Sequence, residues 1–258
     1  MQTNEYIRVY NDIMNGTMVK PRGLECREVE DLQFYVDPDY PFMTFKHRKY
    51  DVGYFKKEMI WKLTADKYDK SIQEHASLWK EIINPDGSYN SNYGQYFFGT
   101  QYGVLDVVQE LIRDPYSRKA VIPMMNNSHM GPGVKDTVCT MGIGFRIREG
   151  RLNCSVVMRS SDAIWGLATD IPTFAFVYRL VKGFLDPTTN GFITITALSC
   201  HIYSRHYEMA NAIINEPIYE PAYMPYCTDA EAMQIISSRG NRDLLRRSGD
   251  LGRWLVCE

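Results

Sequence analysis

The chain lacks most of the features that sort proteins quickly. Its six cysteines, at 26, 139, 154, 200, 227 and 257, form no C-x-x-C pair. Its five histidines, at 47, 75, 129, 201 and 206, do not cluster with them. No zinc-type spacing results, and no metal is implied. No apolar run approaches the length of a membrane span. The first residues, MQTNEYIRVYNDIMNG, are polar and helix-like and do not resemble a secretory leader. Reduced thiols in a cytoplasm are the expectation. The formal net charge is only -2, so no global field draws nucleic acid, and neither nucleic acid nor membrane is an expected partner. No repeat, low-complexity linker or shift of composition divides the sequence, which is read as one domain over 1–258.

What is present is ordinary globular material. The 258 residues are 45% hydrophobic and 23% charged, enough to bury a sizeable core. Apolar spacing predicts a helix over 4–16, closed by Gly16, and another over 51–63 with Tyr54, Phe55, Ile60 and Trp61 inward. Further helices are predicted over 71–83, before the Asn84-Pro85-Asp86-Gly87 turn, and over 103–113, stopped by Asp114-Pro115. Residues 30–50 read as strands and turns, 162–170 as a loop, 171–185 as a helix and 192–203 as a strand, with a last helix from about 205.

The clearest local feature is TVCTMGIGFRIREGRLNCSVVMRS (137–160). Two apolar runs flank Glu149-Gly150, the pattern of a long β-hairpin. A two-residue turn there would set Cys139 opposite Ser160 and beside Arg159; a bulge would shift that register by one. Taken alone, a cysteine in an apolar strand is a small core residue. A guanidinium beside it favours thiolate, the nucleophilic form. Cys154 and Cys200 have no such neighbour in sequence and read as core.

Several segments, in order, resemble the thymidylate synthase family. Glu58-Met59-Ile60-Trp61 resembles its E-x-x-W helix and Asn92-Tyr93-Gly94 its Y-G turn. DPYSRK (114–119) resembles its paired basic phosphate segment, and DTVCT (136–140) the segment of its nucleophilic cysteine. LNCSVVMRSSDAIWGLATD (152–170) resembles its LNC…RS-x-D-x-x-x-G-x-x-x-[N/D] signature, and CHIYSRH (200–206) its H-x-Y-S segment. Together they cover about 50–210.

The resemblance implies an α/β (α+β) fold, a mixed, bent sheet with helices on one face, and a homodimer packed sheet to sheet. It implies one-carbon transfer to C5 of a pyrimidine nucleotide, with 5,10-methylenetetrahydrofolate as cofactor. Cys139 would add to C6, with Glu58 as general acid/base and Tyr93 in the catalytic set. Arg159, Ser160 and Ser161 would bind substrate, the first two at its phosphate; His201 and Tyr203 would hold the sugar 3′-hydroxyl. Arg118 and Lys119 would reach across the dimer into the partner's site. Arg22, in a Pro-Arg-Gly turn, stands about one position from the family's mobile phosphate-binding arginine. Asp162 would fix the pterin, and Trp79, Trp165 and Gly166 would line the cofactor side.

Departures from the synthase pattern resemble one branch of that family, the deoxycytidylate hydroxymethylases of phages, whose workplace would be a host cytoplasm. The chain has Asp170 where synthases have Asn, Thr140 where they usually have His, and the NSNYG run (90–94). Lys119 replaces an arginine, keeping charge but losing the bidentate fork. Uracil shows an N3–H donor beside an O4 acceptor, which an Asn amide answers. Cytosine shows an N3 acceptor beside an N4 donor, which a carboxyl answers with a shared proton. The bland alternative for Asp170 is an N-cap, since Asp170-Ile171-Pro172 could open a helix. The expected activity is therefore hydroxymethylation of dCMP. A ribose (CMP) hydroxymethylase, a dCMP methyltransferase and a dUMP-using synthase remain as enzymatic alternatives, and a nucleotide- or RNA-binding relative without catalysis as another.

Overall fold

The computed structural model describes residues 2–99, 101–185 and 189–257. The chain opens with α1 (Gln2–Met14), β1 (Thr17–Val19) and β2 (Cys26–Val36). Four helices follow: α2 (Val52–Leu63), α3 (Leu78–Ile82), α4 (Gly94–Phe97) and α5 (Val104–Arg113). Then come β3 (Val121–Pro123), β4 (Thr140–Arg148), β5 (Arg151–Met158), β6 (Ser161–Asp162), α6 (Gly166–Phe184) and β7 (Thr189–Tyr203). The chain closes with α7 (Tyr207–Asn215), α8 (Asp229–Ser237), α9 (Arg242–Leu245) and α10 (Gly249–Val256).

The strands form one sheet in the order β1-β2-β7-β5-β4-β3, with β6 beside β7. β5 and β6 run parallel to β7, and the other pairs are antiparallel, so the sheet is mixed. Side chains alternate across it. Phe34, Val36, Phe145, Cys154, Val156, Ile193 and Ile195 are buried on the side packed by helices. α6 is buried almost all round, as a core helix should be. The opposite side shows Tyr35, Val157, Phe192 and Leu198 to solvent, with the Tyr35 and Phe192 rings in edge contact at 6.1 Å. Helices thus lie on one face, as expected, and the other face is open in the single chain.

The hairpin register follows from its Glu149-Gly150 turn, both residues having positive φ. Arg148 pairs with Arg151 and Gly142 with Val157, as the two-residue turn demands. Beyond Gly142 the register slips, because Met141 is the extra residue of a bulge. Thr140 then pairs with Met158, and the Arg159 N–H donates to the Cys139 carbonyl at 2.8 Å. Cys139 therefore stands against Arg159, not Ser160.

Three helix boundaries and the buried face of one helix need correction. The first helix ends at Met14, and Gly16 serves a different purpose: a Cβ there would lie 2.2 Å from the Glu28 carbonyl oxygen. The predicted 71–83 helix is a 3-10 turn over Ser71–Glu74 and the short α3. Its serines and His75 favour helix weakly, and the Asp69 carboxylate accepts from the Ser71 N–H to start a turn instead. α6 begins at Gly166, a full turn before Asp170, so the expected 162–170 loop is mostly strand and helix. Asp162 launches it by accepting the Ile164 N–H at 2.9 Å, and Pro172 sits inside it. On α2, Tyr54 and Ile60 are only half-buried, whereas Glu58 and Lys62 are buried.

The 90–94 turn is keyed to α2. A Cβ on Gly94 would lie 1.5 Å from the Lys62 carbonyl oxygen, so only glycine lets the turn approach. The Asn92 carboxamide braces the same turn, accepting from the Gly94 N–H at 3.1 Å and donating to the Asp66 carbonyl at 3.0 Å. Gly94→Ala is expected to cost about 3 kcal/mol by overpacking, read by chemical denaturation. A loss under about 0.5 kcal/mol, the range of ordinary surface changes, would show that this contact does not lock the turn.

Candidate active site

A cavity of about 520 Å³ opens between α2, α3, the 90–94 turn, the start of β4 and the first turns of α6. It brings together seven of the residues singled out from sequence: Glu58, Trp79, Tyr93, Cys139, Trp165, Gly166 and Asp170. Its volume is that of a small-molecule site. Among the described residues, no group of three or more His, Cys, Asp or Glu is placed to hold a metal. No helix among them is long and apolar enough to cross a membrane.

Cys139 is placed from two sides. The Arg159 guanidinium wraps the strand end, donating from Nε to the Val138 carbonyl and from Nη2 to the Thr137 carbonyl, both at 2.9 Å. Nη2 also lies 3.6 Å from Cys139 Sγ. On the other side, the Asn84 carboxamide oxygen accepts the Lys135 and Asp136 N–H groups. Ser91 donates to the Asp136 carboxylate through its N–H at 2.8 Å and through its hydroxyl. Turn 84–91 thus fixes the 135–139 segment.

Electrostatics acts on the thiol in both directions. Burial pushes the Cys139 thiol up to about 11. Arg159 and Arg22 pull it down, as expected of cations, but Asp170 and Asp136 push it up further. The balance favours the thiol over the thiolate at neutral pH.

Asp170 lies in the second turn of α6, half-buried, on the cavity wall. The helix starts before it, so it caps nothing. Burial raises its carboxyl to about 7; the Lys62 charge opposes this and the Glu58 charge adds to it. Glu58 is 5% exposed and pairs with Lys62 Nζ at 2.7 Å. Tyr93 is buried, and its hydroxyl accepts from Thr140 Oγ1 at 3.2 Å. Trp79 donates from Nε1 to the Tyr54 hydroxyl at 2.9 Å and packs on Trp61 and Tyr89. Trp165, 51% exposed, stands at the mouth under the Arg48 guanidinium and donates to His206 Nε2 at 2.9 Å.

The remaining candidates lie off the cavity wall. β6 pairs Ser161 with Cys200 and Asp162 with His201, so two sequence-distant segments meet. The His201 and Tyr203 rings are in edge contact at 4.9 Å. Ser160 is half-buried, and Ser161 is buried with a hydroxyl that has no partner among the described residues. Arg22 adopts a positive φ, and its charge acts on both Cys139 and His201. Arg118 and Lys119 are exposed between α5 and β3 and do not line this cavity. Sequence reasoning missed Lys62, Arg48 and Tyr50. The first had a visible signal, its i,i+4 spacing from Glu58; the other two come from a turn-rich segment with no pattern.

The family profile of thymidylate synthase matches residues 4–236. The chain belongs to the thymidylate synthase family. Among its relatives is the deoxycytidylate 5-hydroxymethyltransferase of Enterobacteria phage T6, 27% identical over 207 residues, which span 75% of this chain and 82% of the relative. The enzymes of the same name from phages T4 and T2 are each 26% identical over the same spans. Pyrimidine C5 one-carbon transfer is the chemistry this membership supports.

Alkylation of Cys139 by iodoacetamide tests the electrostatics. The rate is expected to be low at pH 7 and to rise about tenfold per pH unit toward 11, as thiolate forms. Asp170→Asn removes one of the charges that raise the thiol, so its profile should move down by about one unit. A plateau below pH 8, or an unmoved profile in the variant, would contradict this account.

Proposed function

We propose that the protein is a cytosine nucleotide hydroxymethylase: dCMP, 5,10-methylenetetrahydrofolate and water give 5-hydroxymethyl-dCMP and tetrahydrofolate. Asp170 carries this reading. It presents a carboxylate on the wall that also holds Cys139, in a family whose synthases have Asn at the matching position. Ionised, it accepts from the cytosine N4 amino group and from a protonated N3; protonated, it donates to N3 and accepts from N4. With its carboxyl near 7, both forms are at hand at neutral pH. Against uracil the ionised form meets O4 acceptor to acceptor, a mismatch of about 1–3 kcal/mol when desolvated. The names of the phage relatives agree with the reading.

The residues divide the work. Cys139 Sγ adds to C6, with Arg159 beside it to steady the developing thiolate. C5 thereby becomes a carbon nucleophile. 5,10-Methylenetetrahydrofolate supplies the carbon at the methylene level. Glu58, through water, takes the C5 proton, and Tyr93 lines the same cavity. Loss of that proton would let tetrahydrofolate leave the new carbon, water would add there, and Cys139 Sγ would depart from C6 to restore the base; hydride from the folate in place of water would give methyl. The cavity suits a flat ring system, since Trp79, Trp165, Tyr50 and Tyr54 line it. Asp162 and Gly166 would complete the pterin side. Arg159, Ser160, Ser161 and Arg22 would hold phosphate, and His201 and Tyr203 the sugar.

Residues 1–258 would act as one catalytic domain in a cytoplasm, that of a host cell for a phage-like enzyme. A second copy would cover the open sheet face and bring its Arg118 and Lys119 to the phosphate.

Tritium release from 5-³H-dCMP with methylenetetrahydrofolate tests the reaction, and mass spectrometry of products with dCMP, CMP and dUMP in competition names it. Cys139→Ser should lower release about 10³-fold or more; a variant as active as wild type sinks the enzyme reading. Asp170→Asn should shift preference toward dUMP by roughly tenfold to a few hundredfold. Unchanged selectivity would refute the account of base recognition.

A further inference from the structure

We propose that Lys62 is a positioning residue of this site: it holds the Glu58 carboxylate in place and sets the charge that Glu58 and Asp170 share. The inference rests on the proposed reaction for the role of Glu58, but its geometry does not. Lys62 lies one helical turn after Glu58 and is 2% exposed. A lysine so buried needs partners, and it has them on two helices. Its ammonium donates to Glu58 Oε1 at 2.7 Å on α2 and to Thr173 Oγ1 at 2.9 Å on α6. The Thr173 hydroxyl in turn donates to the Thr169 carbonyl at 2.9 Å, which leaves its lone pairs for the ammonium. The Tyr93 ring lies 5.3 Å from Nζ and offers a π face. Lys62 therefore ties α2, which carries Glu58, to α6, which carries Asp170, against the turn that carries Tyr93.

The charge balance needs it. Glu58 and Asp170 line one cavity, and the Glu58 charge raises the Asp170 carboxyl. Arg48 also lines the cavity, but its guanidinium is committed to the Ile164 and Met43 carbonyls. Lys49 and Asp51 stand at the exposed rim. The other titratable groups facing the pair are the Tyr50, Tyr54 and Tyr93 phenols and the Cys139 thiol, all held neutral by burial. Lys62 is thus the cation that acts on both carboxylates. An apolar residue would fill the same space without burying a charge, and such exchanges often leave stability unharmed. A role in charge placement explains the lysine where packing does not.

The test uses Lys62→Met, Lys62→Arg and Lys62→Gln, the last a second neutral variant that keeps a donor for Glu58 should the methionine variant fail to fold. Two readouts are taken. One is the pH profile of kcat for tritium release. The other is a ¹³C carboxyl NMR titration of the ligand-free protein, with Glu58→Gln and Asp170→Asn supplying the assignments. Without the cation, the Asp170 carboxyl holds its proton to higher pH. The neutral variants should lose about tenfold or more in kcat at pH 7, move the acidic limb up by about one unit and recover at higher pH. Their Asp170 titration should rise above the wild-type value, and Lys62→Arg should restore both profiles. Carboxyl titrations that stay in place in a folded neutral variant overturn the inference, as does an equal loss of kcat at every pH. If the wild-type protein turns over none of dCMP, CMP and dUMP, the proposed reaction fails, and the NMR titration alone decides the role of Lys62.

Discussion

Three ionisable groups, Glu58, Asp170 and Cys139, share one cavity with little water to separate their charges, and much of the local structure answers that constraint. Burial makes two of them, Asp170 and Cys139, hold their protons more tightly. Asp170 is raised to about 7 and Cys139 to about 11. A hydrogen-bonded cation stands at each end. Lys62 serves the carboxylates and is fixed by a hydroxyl on another helix. Arg159 serves the thiol and is fixed by two backbone carbonyls. Neither cation is free to swing toward solvent, so the field in the cavity is set by the fold.

That fixing explains why the elements meet as they do. The open β5-β7 parallel pairing and the short β6 put Ser161 and Asp162 beside Cys200 and His201, joining two segments about forty residues apart. The Met141 bulge turns the end of β4 so that Cys139 meets Arg159 across the hairpin. Gly94 lets the Tyr93 turn sit on the Lys62 carbonyl, so the same residue of α2 serves the site through its side chain and the packing through its backbone.

Much of this was legible in the sequence, and the gaps have physical causes. Glu149-Gly150 announces its turn, because both residues must accept positive φ, and the register follows by counting. The bulge was invisible: nothing in Thr140-Met141-Gly142 marks which residue drops out of the ladder. Helix 103–113 was readable from its apolar spacing and its Asp114-Pro115 stop. The start of α6 was misplaced, because Asp170-Ile171-Pro172 mimics a cap while the actual launch is a side-chain hydrogen bond from Asp162. Lys62 stands four residues after Glu58, but only its burial against Thr173 marks it as part of the site. Seven of the site residues meet in the cavity because motif spacing records which residues face one ligand. Of the cations that balance them, Arg159 was legible from the hairpin, whereas the role of Lys62 needed its tertiary burial.

Under the proposed reaction, base recognition and nucleophile activation are one electrostatic event. The Asp170 charge is among those that keep the Cys139 thiol protonated. A cytosine that shares its proton with Asp170 spreads that negative charge over the base pair and away from the sulfur. The thiol then ionises more readily, with Arg159 already in place to receive the thiolate. A uracil neutralises an ionised Asp170 less: its N3–H can donate to one carboxylate oxygen, but O4 meets the other acceptor to acceptor. Discrimination therefore operates twice, once in binding and once in the readiness of the nucleophile. The linkage must run both ways: a thiolate at Cys139 makes Asp170 hold its proton more tightly, which favours the form that donates to cytosine N3.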